Sequence, residues 1–371
     1  MNDNITPYVR YIGADDKDLD LFESQYVVPQ GISYNSYVIT DEKIAVMDTI
    51  DQRKTEEWTV RLEEALEGRT PDYLIVQHME PDHAANIGWF AEKYPEATIV
   101  ASAKAIQMMP QFFEEVNFAG RTQTVKEGDT LCLGQHTLKF IMAPMVHWPE
   151  VMLTYEESEK ILFSADAFGK FGALCHEGEW IDEARRYYFN IVGKYGAQVQ
   201  ALLKKAAGLD IAMICPLHGP VLKENLGYYI GLYDTWSKYE PETEGVVVAY
   251  ASIHGNTAAA ARRMAEILSE KGAAEVMLID LCRDDMALAV ESAFRYSKMI
   301  VAASSYDAGV FPPMFDFLHH LQIKNFQKRR VGIIENGSWA PTAGRMMSCM
   351  LSEMKNMEIM EHMVTIKSSM K

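Results

Sequence analysis

The first two-thirds of the chain alternates short apolar runs with turns rich in Asp, Gly, Pro and charged residues. Strands are predicted at 37–40, 43–47, 72–76, 98–101, 136–142, 160–163 and 211–215, many of them β-branched. Apolar residues at three- and four-residue spacing predict helices over 55–67 and 86–93. A longer amphipathic stretch, 181–208, ends in Gly, as a helix stop does. The segment 237–245, SKYEPETEG, is polar and holds a Pro and a Gly, so it reads as a linker. After it the pattern becomes a regular β-α-β-α alternation, with strands at 246–250, 275–280, 299–303 and 331–334 and a last one near 363–366. That order implies right-handed crossovers and a parallel sheet. The chain stops just after the fifth strand, which leaves this sheet without a final covering helix.

At 371 residues the chain exceeds the size at which a single core usually stops growing, so two domains are expected, 1–240 and 245–371. The formal net charge of −17 argues against nucleic acid or an anionic membrane surface as partner, since both demand clustered Lys and Arg. No apolar run reaches the roughly 18–20 residues of a spanning helix. The acidic start is unlike a signal peptide, so the expected location is the cytoplasm. The five cysteines are odd in number and none forms a C-x-x-C pair, which excludes a rubredoxin-type iron site or a zinc knuckle on this chain.

Candidate chemistry gathers after the strand at 72–76, in Gln77-His78-Met79-Glu80-Pro81-Asp82-His83. Four possible metal ligands, His78, Glu80, Asp82 and His83, fall within six residues, and Pro81 argues that they lie on a loop rather than a helix. Imidazole with carboxylate suits zinc, iron or manganese. The competing reading is a polar turn with solvated acids. Against it, His147, Asp166 and His218 each follow an apolar strand in the same way. His136, His176, His319, His320 and His362 lack such neighbours and read as surface or satisfied histidines. The methionines crowded between Met346 and Met363 read as adaptable core filler.

In the second part, the first strand runs into Ser252-Ile253-His254-Gly255-Asn256-Thr257 and a helix. Hydroxyls, Gly and Asn at a strand-to-helix turn expose backbone N–H groups suited to a phosphate; an N-capped helix start is the alternative. The loop lacks the Lys of a nucleoside-triphosphate loop and the glycines of a dinucleotide fingerprint. Two later strand ends give Ser304-Ser305-Tyr306-Asp307-Ala308-Gly309 and Asn336-Gly337-Ser338-Trp339. Three loops converging there, two with an aromatic, describe a flat ring held over a phosphate anchor. Trp339 as an ordinary core aromatic is the competing reading.

The H-x-[EH]-x-D-H loop followed by a His, an Asp and a His resembles the metallo-β-lactamase superfamily, with Glu80 where its hydrolases usually carry a second His. The second half resembles flavodoxin. Together, with Gly31-x-Ser33-Tyr34-Asn35-Ser36-Tyr37 and Asp166-Ala167-Phe168-Gly169, the chain resembles the flavodiiron proteins over nearly its whole length. The resemblance implies an αββα metallo-β-lactamase-like sandwich followed by a flavodoxin-like doubly wound parallel sheet, both α/β. It implies two iron ions per chain, one held by His78, Glu80 and His147, the other by Asp82, His83 and His218, with Asp166 bridging. It implies FMN, its phosphate on Ser252 to Thr257 and its ring between Ser304 to Gly309 and Asn336 to Trp339.

The expected activity is that of an oxidoreductase reducing O₂ to water, NO to N₂O, or both. The alternatives are a dizinc hydrolase with an appended flavodoxin module and an electron carrier with a dead first domain. Without a rubredoxin module or nicotinamide motif, the electron donor is external, a rubredoxin or reduced deazaflavin F420. A domain of ~240 residues has a radius of gyration of roughly 18 Å, which puts sites on side-by-side domains too far apart for quick tunnelling. A head-to-tail homodimer, or a dimer of dimers, is therefore expected, as the resemblance also implies. Tyr187 and Tyr188 match a family segment near the diiron pocket, as proton donors or gates; packing is the alternative role.

Overall fold

The computed structural model describes residues 4–176 and 178–370. Contacts divide the chain into two compact units, Met1–Tyr187 with Ala197–Gly231, and Tyr188–Gly196 with Leu232–Lys371.

In the first unit, β1 (Val9–Tyr11), β2 (Tyr37–Thr40), β3 (Ile44–Met47), β4 (Tyr73–Val76), β5 (Thr98–Ser102) and β6 (Thr122–Val125) lie side by side in chain order. A second sheet holds β7 (Thr130–Cys132), β8 (Thr137–Met142), β9 (Met152–Glu156), β10 (Ile161–Phe163) and β11 (Met213–Cys215), again in chain order. The inward side chains of both meet in one core, with Tyr37, Met47, Ile75 and Val100 from the first sheet and Phe140, Met152, Phe163 and Cys215 from the second. The helix Thr55–Leu66 buries Trp58, Leu62 and Leu66, and Trp58 Nε1 donates to Ser36 Oγ at the head of β2. Strand β3 is therefore covered on both faces, which is why its four residues, IAVM, are continuously apolar rather than alternating. This is the sandwich expected.

In the second unit, β12 (Thr243–Ala251), β13 (Val276–Asp280), β14 (Tyr296–Tyr306), β15 (Arg330–Asn336) and β16 (Val364–Ile366) form a parallel sheet in the order β13-β12-β14-β15-β16. Helices Asn256–Glu270, Met286–Arg295, Pro312–Ile323 and Ala343–Ser352 make the crossovers. The order second-first-third-fourth-fifth is the flavodoxin-like one, and its switch point falls between the carboxyl ends of β12 and β14.

Two local expectations are corrected and two elements are found that were not predicted. Pro81 does not exclude a helix: Pro81–Ala84 is a helical turn with Pro81 at its start, where the missing N–H costs nothing. The stretch 181–208 is not one helix, because Trp180–Tyr187 passes into a wide π turn, Tyr188–Val192, before Gly196–Ala206 resumes. Every residue of that turn is buried, so packing overrides helical geometry there. Helix Ala103–Phe112 carries Pro110 inside it, which hides it from a pattern search. Strand β9 also escapes, since all five of its residues are buried, Thr154 and Glu156 included, and no alternation shows.

Candidate metal centre and flavin cavity

The turn after β4 is held rigidly before any metal is considered. Asp48 follows β3 with a left-handed φ of 53°. Its carboxylate accepts from Gln77 N at 2.7 Å and Gln77 Nε2 at 2.8 Å, which pins the first residue of the ligand-rich segment. Glu80 then leads into the helical turn Pro81–Ala84, which places Asp82 and His83 on successive corners. Asp166 follows β10, between Ala165 (φ 49°) and Phe168 (φ 67°), positions a non-glycine residue rarely adopts. His218 follows β11, and its Nδ1 donates to Ser33 O at 2.7 Å. A carbonyl can only accept, so Nε2 is left to face inward.

The Ser33–Tyr37 stretch explains its own residues. Asn35 Nδ2 donates to Pro216 O and Gly219 O, both at 2.8 Å, and Tyr37 OH donates to Pro216 O at 2.7 Å. Together they frame the His218 loop. Gly219 has φ +78°, and a Cβ there would lie 2.7 Å from Lys170 Cγ, so only glycine fits behind His218.

The structure brings all seven predicted side chains together in two groups. His78, Glu80, His147 and Asp166 form one; Asp82, His83 and His218 form the other, with ligand atoms within 4.8 Å of one another in each. In the first, Glu80 Oε2 lies 3.2 Å from His78 Nε2 and 3.0 Å from His147 Nε2. In the second, Asp82 Oδ2 lies 3.3 Å from His83 Nε2 and 3.2 Å from His218 Nε2. Asp166 reaches both groups. Its Oδ2 is 3.0 Å from His147 Nε2 and 3.4 Å from His78 Nε2, while Oδ1 is 3.2 Å from His83 Nε2.

Donor atoms about 2 Å from one ion lie about 3–3.5 Å apart, so these spacings suit two ions sharing Asp166. A second observation supports the fit. Both carboxylate oxygens of Asp82, both of Asp166 and Nε2 of His147 are buried without a hydrogen-bond partner. Orphaned buried acceptors cost a few kcal/mol each unless a cation meets them.

The protonation of the metal-free site points the same way. Burial disfavours the imidazolium of His147, but the Asp166 and Glu80 carboxylates outweigh it and raise its pKa to about 9. His78 is likewise held well above the usual range: burial opposes, and the carboxylates of Asp166, Glu150 and Glu80 prevail. Asp82 is pushed up to about 7, first by burial and then by the charges of Glu80 and Asp166. Each must lose its proton to bind a metal. Affinity of the metal-free protein for Fe(II) or Co(II) should therefore rise from pH 6 to 9, by about tenfold per pH unit for each proton displaced. The dependence should be steepest below pH 7, where Asp82 also holds a proton. Competition with a chromophoric chelator at several pH values measures it; an affinity flat across this range would contradict the assignment.

Glu150 is a site residue that was not predicted. Its Oε1 accepts from His78 Nδ1 at 2.7 Å and Met79 N at 2.9 Å, inside the same buried shell. A single Glu in a loop carries no spacing signal, although its place three residues after His147 was visible. Tyr187 sits with its ring 5.5 Å from that of His218. Tyr188 belongs to the other unit, where it packs on Tyr233 and Trp236. Among the histidines set aside, His136 is buried and its Nδ1 pairs with Asp41 Oδ2 at 2.7 Å. The methionine stretch divides: Met347, Met350 and Met354 are buried core, while Met360 and Met363 are exposed.

A second site lies at the switch point of the second unit. A cavity of about 530 Å³, within the usual range for cofactor sites, is lined by every residue predicted for the flavin except Gly255 and Gly309. Ala340, Thr342 and Ser368 line it as well. Gly255 instead makes the turn, with φ 89°, ahead of a helix with no side-chain cap, so the N–H groups of its first turn are open to an anion. Gly309 closes a tight turn through Asp307 and Ala308, both at positive φ, which pairs Tyr306 with Gly309. Thr257 Oγ1 and Ser304 Oγ are 2.8 Å apart, and Asn336 Nδ2 donates to Thr257 Oγ1 at 3.3 Å, so the three loops are tied to one another. Asn336 also clasps Ser368, donating from Nδ2 to its carbonyl and accepting from its N–H. Trp339 is 92% exposed, which rules out the core-aromatic reading; with Ile253 and Tyr306 it forms an exposed apolar rim.

These features define a class: a two-metal carboxylate/histidine centre on a β-lactamase-type sandwich, joined to a flavodoxin-like sheet with an anion-ready cavity. The family model described as ODP family beta lactamase matches residues 32–219. The anaerobic nitric oxide reductase flavorubredoxin of Aliivibrio fischeri is 29% identical over 353 residues, 91% of this chain and 70% of that protein. The solved rubredoxin oxygen:oxidoreductase of the anaerobe Desulfovibrio gigas superposes with a TM-score of 0.93 at 25% identity, covering 99% of this chain and 93% of that one. The flavodiiron protein of Giardia intestinalis gives a TM-score of 0.89 at 24% identity, over 96% and 91% of the two chains. The chain belongs to the ODP beta-lactamase family, and over nearly its whole length it has the fold of the solved flavodiiron proteins.

Proposed function

We propose that this chain is an oxidoreductase that reduces O₂ to water, NO to N₂O, or both, taking electrons from an external donor through FMN. The observation that carries the reading is Asp166, one oxygen on each of two histidine/carboxylate groups, with both of its oxygens and both of those of Asp82 buried without a hydrogen-bond partner. His78, Glu80 and His147 would hold one iron and Asp82, His83 and His218 the other, with Asp166 shared between them. The cavity between the three loops would hold FMN, with Ser252–Thr257 at its phosphate and Ser304–Gly309 and Asn336–Trp339 flanking its ring. Reduced flavin and a diferrous pair together supply the four electrons that O₂ reduction needs, or the two that join two NO molecules as N₂O.

The chain's own residues set the conditions for that chemistry. Glu80 places a carboxylate where a hydrolase has a neutral imidazole, which favours a ferric ion over zinc. Phe22 and Tyr187 pack their rings against His218, at 5.4 and 5.5 Å, and keep one side of the pocket apolar. Tyr187 brings a hydroxyl-bearing ring beside His218, as does Tyr34 at 6.1 Å, and either is a candidate to hold or pass a proton. The diiron domain corresponds to 1–240 and the FMN domain to 245–371, except that 188–196 and 232–240 group with the FMN unit. The exposed rim of Ile253, Tyr306 and Trp339 supports closure of the flavin cavity by a second copy, in a head-to-tail homodimer or a dimer of dimers. A rubredoxin is the first-choice donor, with reduced deazaflavin as the second. No helix among the described residues is long and apolar enough to cross a membrane, and a cytoplasmic location is proposed.

The test is metal analysis, the visible spectrum and anaerobic gas consumption on one preparation. Two irons and one FMN per chain, with consumption of O₂ or NO driven by reduced rubredoxin, are expected. Two zincs and a hydrolytic activity would replace this reading with the dizinc hydrolase. Consumption of one gas but not the other sets the substrate.

A further inference from the structure

The two metal positions are matched in their nearest donors. Each has two imidazoles and one carboxylate of its own, Glu80 on one side and Asp82 on the other, and each takes one oxygen of Asp166. The difference lies one layer out, behind the imidazoles. His78 Nδ1 donates to the Glu150 carboxylate at 2.7 Å. His218 Nδ1 donates to a neutral carbonyl, Ser33 O, at the same distance. His83 Nδ1 is buried and has no hydrogen-bond partner among the described residues.

Glu150 is fully buried, and only Oε1 is engaged, by His78 Nδ1 and Met79 N. Its Oε2 has no hydrogen-bond partner, and no Lys or Arg pairs with the carboxylate among the described residues. A carboxylate buried this way is costly unless positive charge lies close by. The positive charge within reach is that of His78 itself, 2.7 Å away when it is protonated, and in the loaded protein that of the ion which His78 Nε2 would face. A carboxylate drawing on the Nδ1 proton makes Nε2 a stronger donor, while a carbonyl does so far less.

We propose that Glu150 makes the two metal positions unequal: it is a positioning residue that orients His78 and makes the His78 position the tighter one and the one that favours Fe(III). The proposal rests on the diiron reading above. It orders the first oxidation. When the diferrous protein gives one electron to ferricyanide, yielding ferrocyanide and a half-oxidised pair, the ferric ion settles at the His78 position.

The substitution that isolates the charge is Glu150→Gln, whose amide oxygen still accepts from His78 Nδ1 and Met79 N. Titrating the metal-free protein with Co(II), followed by its visible bands, should show one of two equivalents weakened by about 10–100-fold in E150Q and the other little changed. The potential of the first one-electron oxidation of the iron-loaded variant should rise, with the second moved less. Equal weakening of both equivalents, or of neither, overturns the proposal. Should E150Q fail to fold, the native protein decides the matter by Mössbauer spectroscopy at half oxidation. One ferric and one ferrous environment are expected there, and the ferric ion divided between two environments overturns it. Iron content is measured separately, so a chain without two irons fails the diiron reading, and a chain with two equivalent irons fails only the role of Glu150.

Discussion

Replacing Asp166 by Asn is expected to leave a folded protein that holds fewer than two irons and consumes neither gas at a measurable rate. The cause is electrostatic. Asp166 is fully buried, both of its oxygens lack hydrogen-bond partners, and one faces each metal group. An asparagine of the same shape offers a single neutral oxygen and turns an N–H donor towards the other group. Loss of an outer-layer partner alone costs about 10–100-fold in metal affinity, so loss of a charged donor shared by two ions should exceed 100-fold. One effect runs the other way. Asp166 helps hold His78 and His147 protonated in the metal-free protein, so its removal lowers both pKa values and eases proton competition. That gain is bounded by the protonation of those two side chains, whereas the lost attraction acts on two dications at bonding distance, and the loss wins. The experiment reads iron per chain, gas consumption and the thermal transition, with an NMR titration of His147 in the metal-free protein. A variant that kept two irons and a tenth of the native rate would remove Asp166 from the bridging role. An unmoved His147 titration would show that the two side chains do not interact as the structure has them.

What the sequence disclosed of this site depends on how each residue is fixed. His78, Glu80, Asp82 and His83 are legible because the turn after β4 concentrates them, and chance rarely packs four ligands into six residues. His147, Asp166 and His218 are legible one at a time through the strands before them, β8, β10 and β11, whose ends lie at one edge of the same sheet. Their convergence is not legible from spacing; it needed the family resemblance. Glu150, Asp48 and the carbonyl of Ser33 were not legible at all. Each acts through one or a few hydrogen bonds to a ligand or to a residue beside one, and a lone acid or a backbone oxygen leaves no pattern. The flavin loops show the same division. Hydroxyl- and glycine-rich strand ends are readable, but Ser368 reaches the cavity only because β16 lies beside β15 and Asn336 clasps Ser368, two residues past its end. Two of the elements that differ from expectation or were not predicted share a cause. Strand β9 and the π turn Tyr188–Val192 are buried on every side, so the alternation that reveals a half-buried element is absent.

Removing FMN should stop donor-driven turnover, to below about one-hundredth of the native rate, while the iron content stays unchanged, because the flavin cavity and the metal groups share no residue. Adding FMN should restore it, and riboflavin should do so poorly. The reason lies in how the cavity is built. Its walls give a ring modest purchase: Trp339 and Tyr306 are exposed and the rim is open. The anchoring end is the turn Ser252–Thr257, where the positive φ of Gly255 turns the chain into a fifteen-residue helix with no side-chain cap. Those first-turn N–H groups find no intrahelical partner, and the helix dipole adds to their pull on an anion. A hydrogen bond to a charged group contributes about 1.5–3 kcal/mol, so two such bonds amount to roughly 100-fold or more in affinity that riboflavin, lacking the phosphate, cannot recover. Thr257→Val tests the same anchor from the protein side. It removes the hydroxyl that ties Ser304 and Asn336 to the phosphate turn, and should raise the FMN dissociation constant while leaving the iron spectrum unaltered. Fluorescence titration of the flavin-free protein with FMN and riboflavin measures both effects. Equal affinity for the two flavins would move the anchor elsewhere, and full turnover without flavin would mean that electrons reach the iron pair by a route that bypasses this cavity.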